Sequence, residues 1–142
     1  MTKVIAITGG IGSGKTTLSN HLIKLGLPVH DSDKVVSFMY KQPNKNFISF
    51  IKNNISEKAV YQGKINKKII TEMVFENNKL KKDLENHVHK EVKFSRDGFI
   101  KKNLKKENKA IFIDIPLLFE KKLEKQFDLI VCVISSKKTR IK

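Results

Sequence analysis

The feature that most constrains the fold of this chain lies near its amino end, where positions 4–17 read V-I-A-I-T-G-G-I-G-S-G-K-T-T. From Gly9 the spacing is G-x-x-x-x-G-K-[ST], with a strand-like apolar run before it and apolar residues at helical spacing after it. Glycines let backbone N–H groups close around a phosphate, and the following helix directs its positive dipole end toward the same anion. The segment therefore predicts a P-loop, a strand–loop–helix unit that binds a nucleoside triphosphate.

The signature gives roles to the residues of the loop. Lys15 is placed for the β- and γ-phosphates and so is a catalytic candidate, while the Thr16 hydroxyl is placed for Mg²⁺. The nucleotide would be held by eight consecutive residues, namely Gly10, Ile11, Gly12, Ser13, Gly14, Lys15, Thr16 and Thr17. A turn without a ligand is the alternative, but such a turn does not need repeated glycines in register with Gly-Lys-Thr.

Composition bounds the class of protein. The 142 residues, of which 39% are hydrophobic and 30% charged, suit one globular domain. No apolar run approaches the ~20 residues of a membrane-spanning helix, and the chain enters its first strand directly. We therefore expect no signal peptide, no membrane partner and a cytoplasmic location. Cys132 is the single cysteine, which excludes an intramolecular disulfide, and its apolar neighbours predict a buried side chain.

The formal net charge of +15 raises the question of nucleic-acid binding. Only Arg96 and Arg140 are arginines, however, and the lysines are spread over predicted helix faces rather than gathered in one segment. Surfaces that read phosphate favour arginine, so we expect a solvated basic surface and no nucleic-acid partner. A basic nucleic-acid-binding protein, the alternative, requires a clustered positive face and steeply salt-dependent binding.

Strands alternate with helices along the chain. We predict strands at 3–8, 27–30, 110–115 and 128–134, a first helix from Lys15 to Leu25, and a mostly helical stretch from Lys34 to about Lys106. That stretch includes a turn over 61–64, a helix capped by Asn66 and then a longer helix or helix pair. The pattern predicts an α/β fold, a P-loop NTPase three-layer sandwich with a parallel sheet and right-handed crossovers. We expect one domain over 1–142 with a helical insertion at about 34–106.

Three aspartates beside predicted strand ends are candidates for the remaining chemistry. Asp31 and Asp33 follow the second strand, where ligands bind in open α/β sheets. Asp33 could take the proton from an acceptor hydroxyl that attacks the γ-phosphate, although either residue could instead cap the next helix. Asp114 could assist Mg²⁺ through water or form a structural hydrogen bond. The residues alone leave these alternatives open.

Four segments together resemble the dephospho-coenzyme A kinase family. They read T-G-G-I-G-S-G-K-T-T at 8–17, L-G-L-P-V-H-D-S-D at 25–33, L-E-N-H-V-H at 84–89 and D-I-P-L-L-F-E at 114–120. The second resembles the family's l-G-x-P-V-x-D-x-D and the last resembles its P-L-L-x-E. They occur in the family's order and at its spacing, and they cover the chain from end to end.

The resemblance implies a reaction and its site residues. The reaction is ATP-dependent phosphorylation of the ribose 3′-hydroxyl of dephospho-coenzyme A, the last step of coenzyme A biosynthesis, with ATP and Mg²⁺ as cofactors. Carried over by position, Asp33 is the general base, and His89, Leu117 and Glu120 lie near the acceptor. The helical insertion is the region in which the family holds its acceptor. Another P-loop kinase that acts on a small molecule or nucleotide is the alternative function.

Two residues and the carboxyl end depart from the family pattern. Ser37 stands where many members have arginine, and Lys90 follows His89 where the family usually has proline, which bears on acceptor affinity. Members continue past Lys142 with an arginine-bearing lid and a fifth strand, so we expect a C-terminally truncated kinase, weakly active at best or an inactive remnant. We also expect a monomer in which 128–134 is an exposed apolar edge prone to aggregation.

Overall fold

The computed structural model describes residues 2–9, 14–115 and 124–134. Six strands and five α-helices lie within these ranges. The strands are β1 (Lys3–Gly9), β2 (Val29–Asp31), β3 (Val60–Tyr61), β4 (Lys64–Ile65), β5 (Ala110–Asp114) and β6 (Leu129–Val133). The helices are α1 (Lys15–Lys24), α2 (Ser32–Lys41), α3 (Lys45–Phe50), α4 (Lys67–Phe75) and α5 (Asn78–Leu104), and a π-helical turn (Ile51–Ile55) follows α3. Single turns of 3₁₀-helix occur at Glu57–Ala59 and Glu124–Gln126.

The chain divides into two units, one formed by 1–32 and 95–142 and the other by 33–94. The first unit contains a parallel sheet with the strand order β2-β5-β1-β6. Ala6 of β1 lies opposite Ile113 of β5, and both are fully buried, because helices cover the sheet on its two faces. The predicted α/β fold with a four-stranded parallel sheet is confirmed.

The alternation of side chains along β5 shows how the sheet is covered. Ile113 packs with Phe99 and Ile100 from the last turns of α5. Asp114, the next residue, instead contacts Ser19 of α1. Because successive side chains of a strand point to opposite faces, α1 and the end of α5 lie on opposite faces of the sheet. We refer to these as the α1 face and the α5 face.

The second unit has its own apolar core. Phe47, Ile51 and Ile70 are almost fully buried there, and Leu80, Leu84 and Val88 of α5 pack against them. The Asn66 side chain caps α4 by accepting hydrogen bonds from the backbone N–H groups of Lys68 and Ile69, as the sequence predicted. The stretch from 78 to 104 is one helix of 27 residues rather than a pair.

Short strands β3 and β4 form a hairpin that the sequence analysis described only as a turn. Gln62 and Gly63 at its tip both have positive φ, 51° and 75°, which is the geometry of the tight turns that match strand twist. Strands of two residues leave no alternating pattern to detect in the sequence. The hairpin lies in the second unit, which is otherwise mostly helical.

Two details of the strands correct the sequence-based expectations. Asp31 is the last residue of β2 rather than a residue beyond it, and α2 begins immediately at Ser32. Cys132 is exposed, so the prediction that it is buried was wrong. The reason is that β6 ends the strand order and, among the described residues, pairs only with β1. Leu129 and Ile134 are 56% and 82% exposed, so an apolar edge is present at this strand, whereas aggregation through it stays a prediction.

Within the described ranges, no helix is both long enough and apolar enough to span a membrane. The single domain and the limits of its insertion, given from the sequence as 1–142 and about 34–106, stay predictions.

Candidate nucleotide-binding site

The site begins where the loop after β1 enters α1. Gly14 has a φ of 91°, a left-handed conformation that strains any residue with a Cβ atom, so glycine is needed at this position. No side chain caps the N-terminus of α1, and its first turn contains no acidic residue. The free N–H groups and the positive dipole end of the helix are therefore available to an anion.

Lys15, the first residue of α1, is paired with Asp114 at the carboxyl end of β5. Its Nζ lies 2.9 Å from Asp114 Oδ1, and the two side chains are only 13% and 5% exposed. Ser19 Oγ, one helical turn beyond Lys15, donates a hydrogen bond of 3.2 Å to Asp114 Oδ2. Both oxygens of this carboxylate are thus engaged by α1, which fixes the ammonium group of Lys15 at the end of β5.

Burial raises the pKa of the Asp114 carboxyl, and the charge of nearby Asp31 raises it further. Hydrogen bonds from Lys15 and Ser19 and the charge of Lys15 act in the opposite direction and stabilise the ionised form. Asp31 and Asp114 are register partners on adjacent strands, which places both acids on the α1 face. The Ser32 hydroxyl donates to the Asp114 carbonyl over 3.1 Å and ties the start of α2 to the end of β5.

The contacts of Asp114 bear on its two alternative roles. A structural role is present, because its carboxylate forms an ion pair and a hydrogen bond within the first unit. Assistance to Mg²⁺ stays a prediction. Among the described residues, no group of three or more His, Cys, Asp and Glu side chains could hold a metal ion. Mg²⁺ does not require such a group, since this ion is usually held by one or two protein oxygens together with substrate phosphates.

The remaining predicted residues are distributed as follows. Thr16 and Thr17 are exposed in the first turn of α1, on the same helix end as Lys15. Asp33 is exposed in the first turn of α2, and His89 is exposed on α5; both belong to the second unit. Six residues lie outside the described ranges: Gly10, Ile11, Gly12, Ser13, Leu117 and Glu120.

The partners of Lys15 were not predicted from the sequence. Ser19 could have been found, because residues four apart share one face of a helix. Asp114 was a candidate on its own, but its pairing with Lys15 joins residues that are distant in the chain. The parallel pairing of β1 with β5, which brings Ile7 opposite Asp114, places this carboxylate beside the start of α1.

Comparison with known proteins gives a consistent result. The family model for dephospho-CoA kinase matches residues 3–142. A dephospho-CoA kinase from Fusobacterium nucleatum is 38% identical over 135 residues, and one from Buchnera aphidicola is 35% identical over 145 residues. The matches cover 93% and 100% of this chain but 66% and 64% of those proteins, so the chain spans slightly less than two thirds of their length.

Solved structures show the same fold. The Thermus thermophilus protein TT1252 superposes with a TM-score of 0.72 at 29% identity, covering 99% of this chain and 69% of that one. A dephospho-CoA kinase from Campylobacter jejuni gives a TM-score of 0.65 at 21% identity, covering 99% and 93%. Because the family model matches nearly every residue, the chain belongs to the dephospho-CoA kinase family.

Proposed function

We propose that this protein transfers the γ-phosphate of ATP to the ribose 3′-hydroxyl of dephospho-coenzyme A, giving coenzyme A and ADP. The observation that carries this proposal is the pairing of Lys15 with Asp114 at an uncapped helix N-terminus. Membership of the dephospho-CoA kinase family supports the choice of acceptor. The finer parts of the proposal, namely Mg²⁺ as the metal and the cytoplasm as the location, follow from the sequence argument.

Lys15 is the residue that must change partner when ATP binds. In the structure its ammonium group is held by Asp114 at 2.9 Å. The β- and γ-phosphates would draw it toward the loop, because they carry more negative charge than one carboxylate. Asp114 would then keep its hydrogen bond from Ser19 and, being relieved of Lys15, would face the metal side of the nucleotide. Thr16 would hold Mg²⁺, which when bound neutralises charge on the phosphates.

Asp33 is the proposed general base. Its carboxylate would accept the proton of the 3′-hydroxyl as that oxygen forms its bond to the γ-phosphorus and the bond to the ADP oxygen breaks. The position suits this role, because Asp33 is exposed in the first turn of the helix that follows β2. His89, Leu117 and Glu120 are proposed to contact the acceptor, and Gly10 to Thr17 are proposed to hold ATP.

The proposal is tested by ADP release from the purified protein with ATP and Mg²⁺, in the presence and absence of dephospho-coenzyme A. Acceptor-dependent release is expected, with loss in Lys15→Ala. Asp33→Asn should lower kcat by about 10²–10⁴-fold with little change in the KM for ATP. The matched control is Glu72→Gln, an exposed acid of α4, which should behave as the unsubstituted protein.

Two results would contradict the proposal. One is a folded protein, judged by circular dichroism, that releases no ADP in response to dephospho-coenzyme A. The other is transfer of phosphate to a nucleoside monophosphate in place of dephospho-coenzyme A, which would identify the alternative P-loop nucleotide kinase.

A further inference from the structure

The α5 face of the sheet carries a buried polar cluster that the proposed reaction does not use. It consists of His30 from β2 and of Ser95 and Arg96 from α5, all in the first unit. His30 and Arg96 are each only 6% exposed. Charged and polar side chains are seldom buried this deeply unless they are paired, so the partners of each group decide what the cluster is for.

His30 has one satisfied nitrogen and one orphaned nitrogen. Its Nε2 lies 3.1 Å from Ser95 Oγ, and its ring packs against Phe99 with a centroid distance of 5.3 Å. The other nitrogen, Nδ1, is fully buried and has no hydrogen-bond partner within the described part of the chain. A buried polar atom without a partner is unfavourable, so we expect a group outside the described residues to complete it.

Arg96 brings a positive charge to the cluster, and burial together with this charge lowers the pKa of His30. Burial lowers the pKa of its guanidinium, and the charge of neighbouring Asp97 offsets this only in part. Across the described residues, no carboxylate lies within salt-bridge distance of Arg96. A mostly buried arginine that forms no salt bridge with a described carboxylate can pair with an anion from outside the protein.

The geometry separates this cluster from the acids of the nucleotide site. His30 is the register partner of Ile113, which faces α5, whereas Asp31 is the partner of Asp114, which faces α1. The Asp31 carboxylate therefore points away from the cluster, although its charge still raises the pKa of His30 against the larger lowering by burial and by Arg96. The α5 face presents donors at the carboxyl end of β2, where ligands bind in open sheets.

We propose that Arg96 and His30 form a binding site for a phosphate group of the acceptor, a nucleotide diphosphate ester. The proposal rests on the proposed function for the identity of the acceptor, but not for the chemistry of the site. A guanidinium offers a planar fork of donors that matches phosphate oxygens, and burial strengthens each of these hydrogen bonds. Ser95 is the positioning residue: when its hydroxyl donates to Nε2, the neutral imidazole carries its proton on Nδ1 and can donate it to the phosphate.

The test uses the whole protein labelled with ¹⁵N in its histidines, of which the chain has only four, so that His30 can be assigned with a His30→Asn variant. Inorganic diphosphate is added, and the ¹⁵N shifts of His30 are followed by NMR. We expect the ¹⁵N shifts of His30 to change saturably and, at saturation, to have the values of the neutral imidazole protonated at Nδ1. The same shifts should persist in Lys15→Ala, where binding at the P-loop is removed.

Variants of Arg96 provide the control for charge. Arg96→Met should weaken the diphosphate affinity reported by His30 about tenfold or more, the loss expected for charge-assisted hydrogen bonds. Arg96→Lys, which keeps the charge and is the safer variant for folding, should recover part of the affinity. Lys93→Met, an exposed lysine one turn earlier on α5, should leave the affinity unchanged. Equal affinity in all three variants would overturn the site.

The source of the phosphate is decided by two further titrations. Dephospho-coenzyme A should shift His30, and adenosine, which lacks phosphate, should not. A His30 shift with diphosphate but none with dephospho-coenzyme A would overturn the assignment to the acceptor. A further contrary result is a His30 Nδ1 shift that indicates a hydrogen bond before any ligand is added and then does not respond to diphosphate. This result would show that Nδ1 has a partner within the protein, and it would overturn the proposal. Neither result depends on turnover, so failure of the site and failure of the kinase reaction are distinguishable.

Discussion

Replacing Lys15 by methionine should destabilise the protein by about 3 kcal/mol at neutral pH, because it leaves the Asp114 carboxylate buried without its counterion. The two charged atoms lie 2.9 Å apart, and the side chains are 13% and 5% exposed. Coulomb's law at this distance gives about 6 kcal/mol for an effective dielectric constant of 20 and about 1 kcal/mol for bulk water. The expected loss lies between these bounds, since Lys15 keeps partial contact with solvent.

The loss should depend on pH with a definite sign. Burial raises the pKa of Asp114 in the folded protein above its ordinary value of 3.8, and the hydrogen bond and charge of Lys15 limit this rise. A carboxyl with a raised pKa in the folded state binds its proton more tightly there than in the unfolded chain, so folding becomes less favourable as the pH rises through that pKa. Without Lys15 the pKa rises further. The deficit of Lys15→Met should therefore be small in acid, where Asp114 is protonated in both states, and reach its full size near neutrality.

The assay is equilibrium unfolding in urea at acidic and neutral pH. Lys24→Met, an exposed lysine at the other end of α1, is the matched control and should change stability by less than about 0.5 kcal/mol. Adding Asp114→Asn to Lys15→Met should restore most of the loss, since asparagine is neutral yet can still accept the hydrogen bond from Ser19. A deficit below about 0.5 kcal/mol, or one of equal size at both pH values, would show that Lys15 does not stabilise the buried Asp114 carboxylate.

Three further substitutions, the first with a matched control, test the packing and the caps by urea unfolding. Phe47→Ala, at a side chain with no exposed surface, should cost about 3–5 kcal/mol, whereas Phe94→Ala at an 83% exposed side chain should cost little; equal costs would contradict the assigned core. Asn66→Ala should cost about 1 kcal/mol by removing the cap of α4, and no change would mean that the cap is not formed. Gly26→Ala should cost about 1–2 kcal/mol because φ is 82° while nothing crowds a Cβ atom there; a stabilised variant would rule out the left-handed conformation.

Local signals in the sequence predicted much of this fold because they report on neighbouring residues. Gly26 follows α1 with a positive φ, and Asn66 caps α4. The residue type alone predicts each of these roles. The continuous apolar runs around Ile113 and Ile130 indicated buried strands of a parallel sheet. The same runs could not show which strand lies at the edge, and this is why Cys132 was wrongly expected to be buried.

The features that the sequence did not predict depend on contacts between distant segments. The pairing of Lys15 with Asp114 exists because β1 and β5 are neighbours in the sheet, and strand order is not encoded in either strand alone. The cluster of His30 and Arg96 likewise requires α5 to return to the sheet at the end of β2. Residue type predicted a phosphate site at the start of α1, whereas topology decided which polar side chains lie beside Lys15.

The most direct test of the central claim is to identify the product by ³¹P NMR after incubation with ATP, Mg²⁺ and dephospho-coenzyme A. The account predicts a new phosphomonoester resonance on the ribose 3′-oxygen, formed in step with ADP and absent for Lys15→Ala. Conversion of ATP to ADP and free phosphate without that resonance, or no conversion by a protein that is folded, would contradict it.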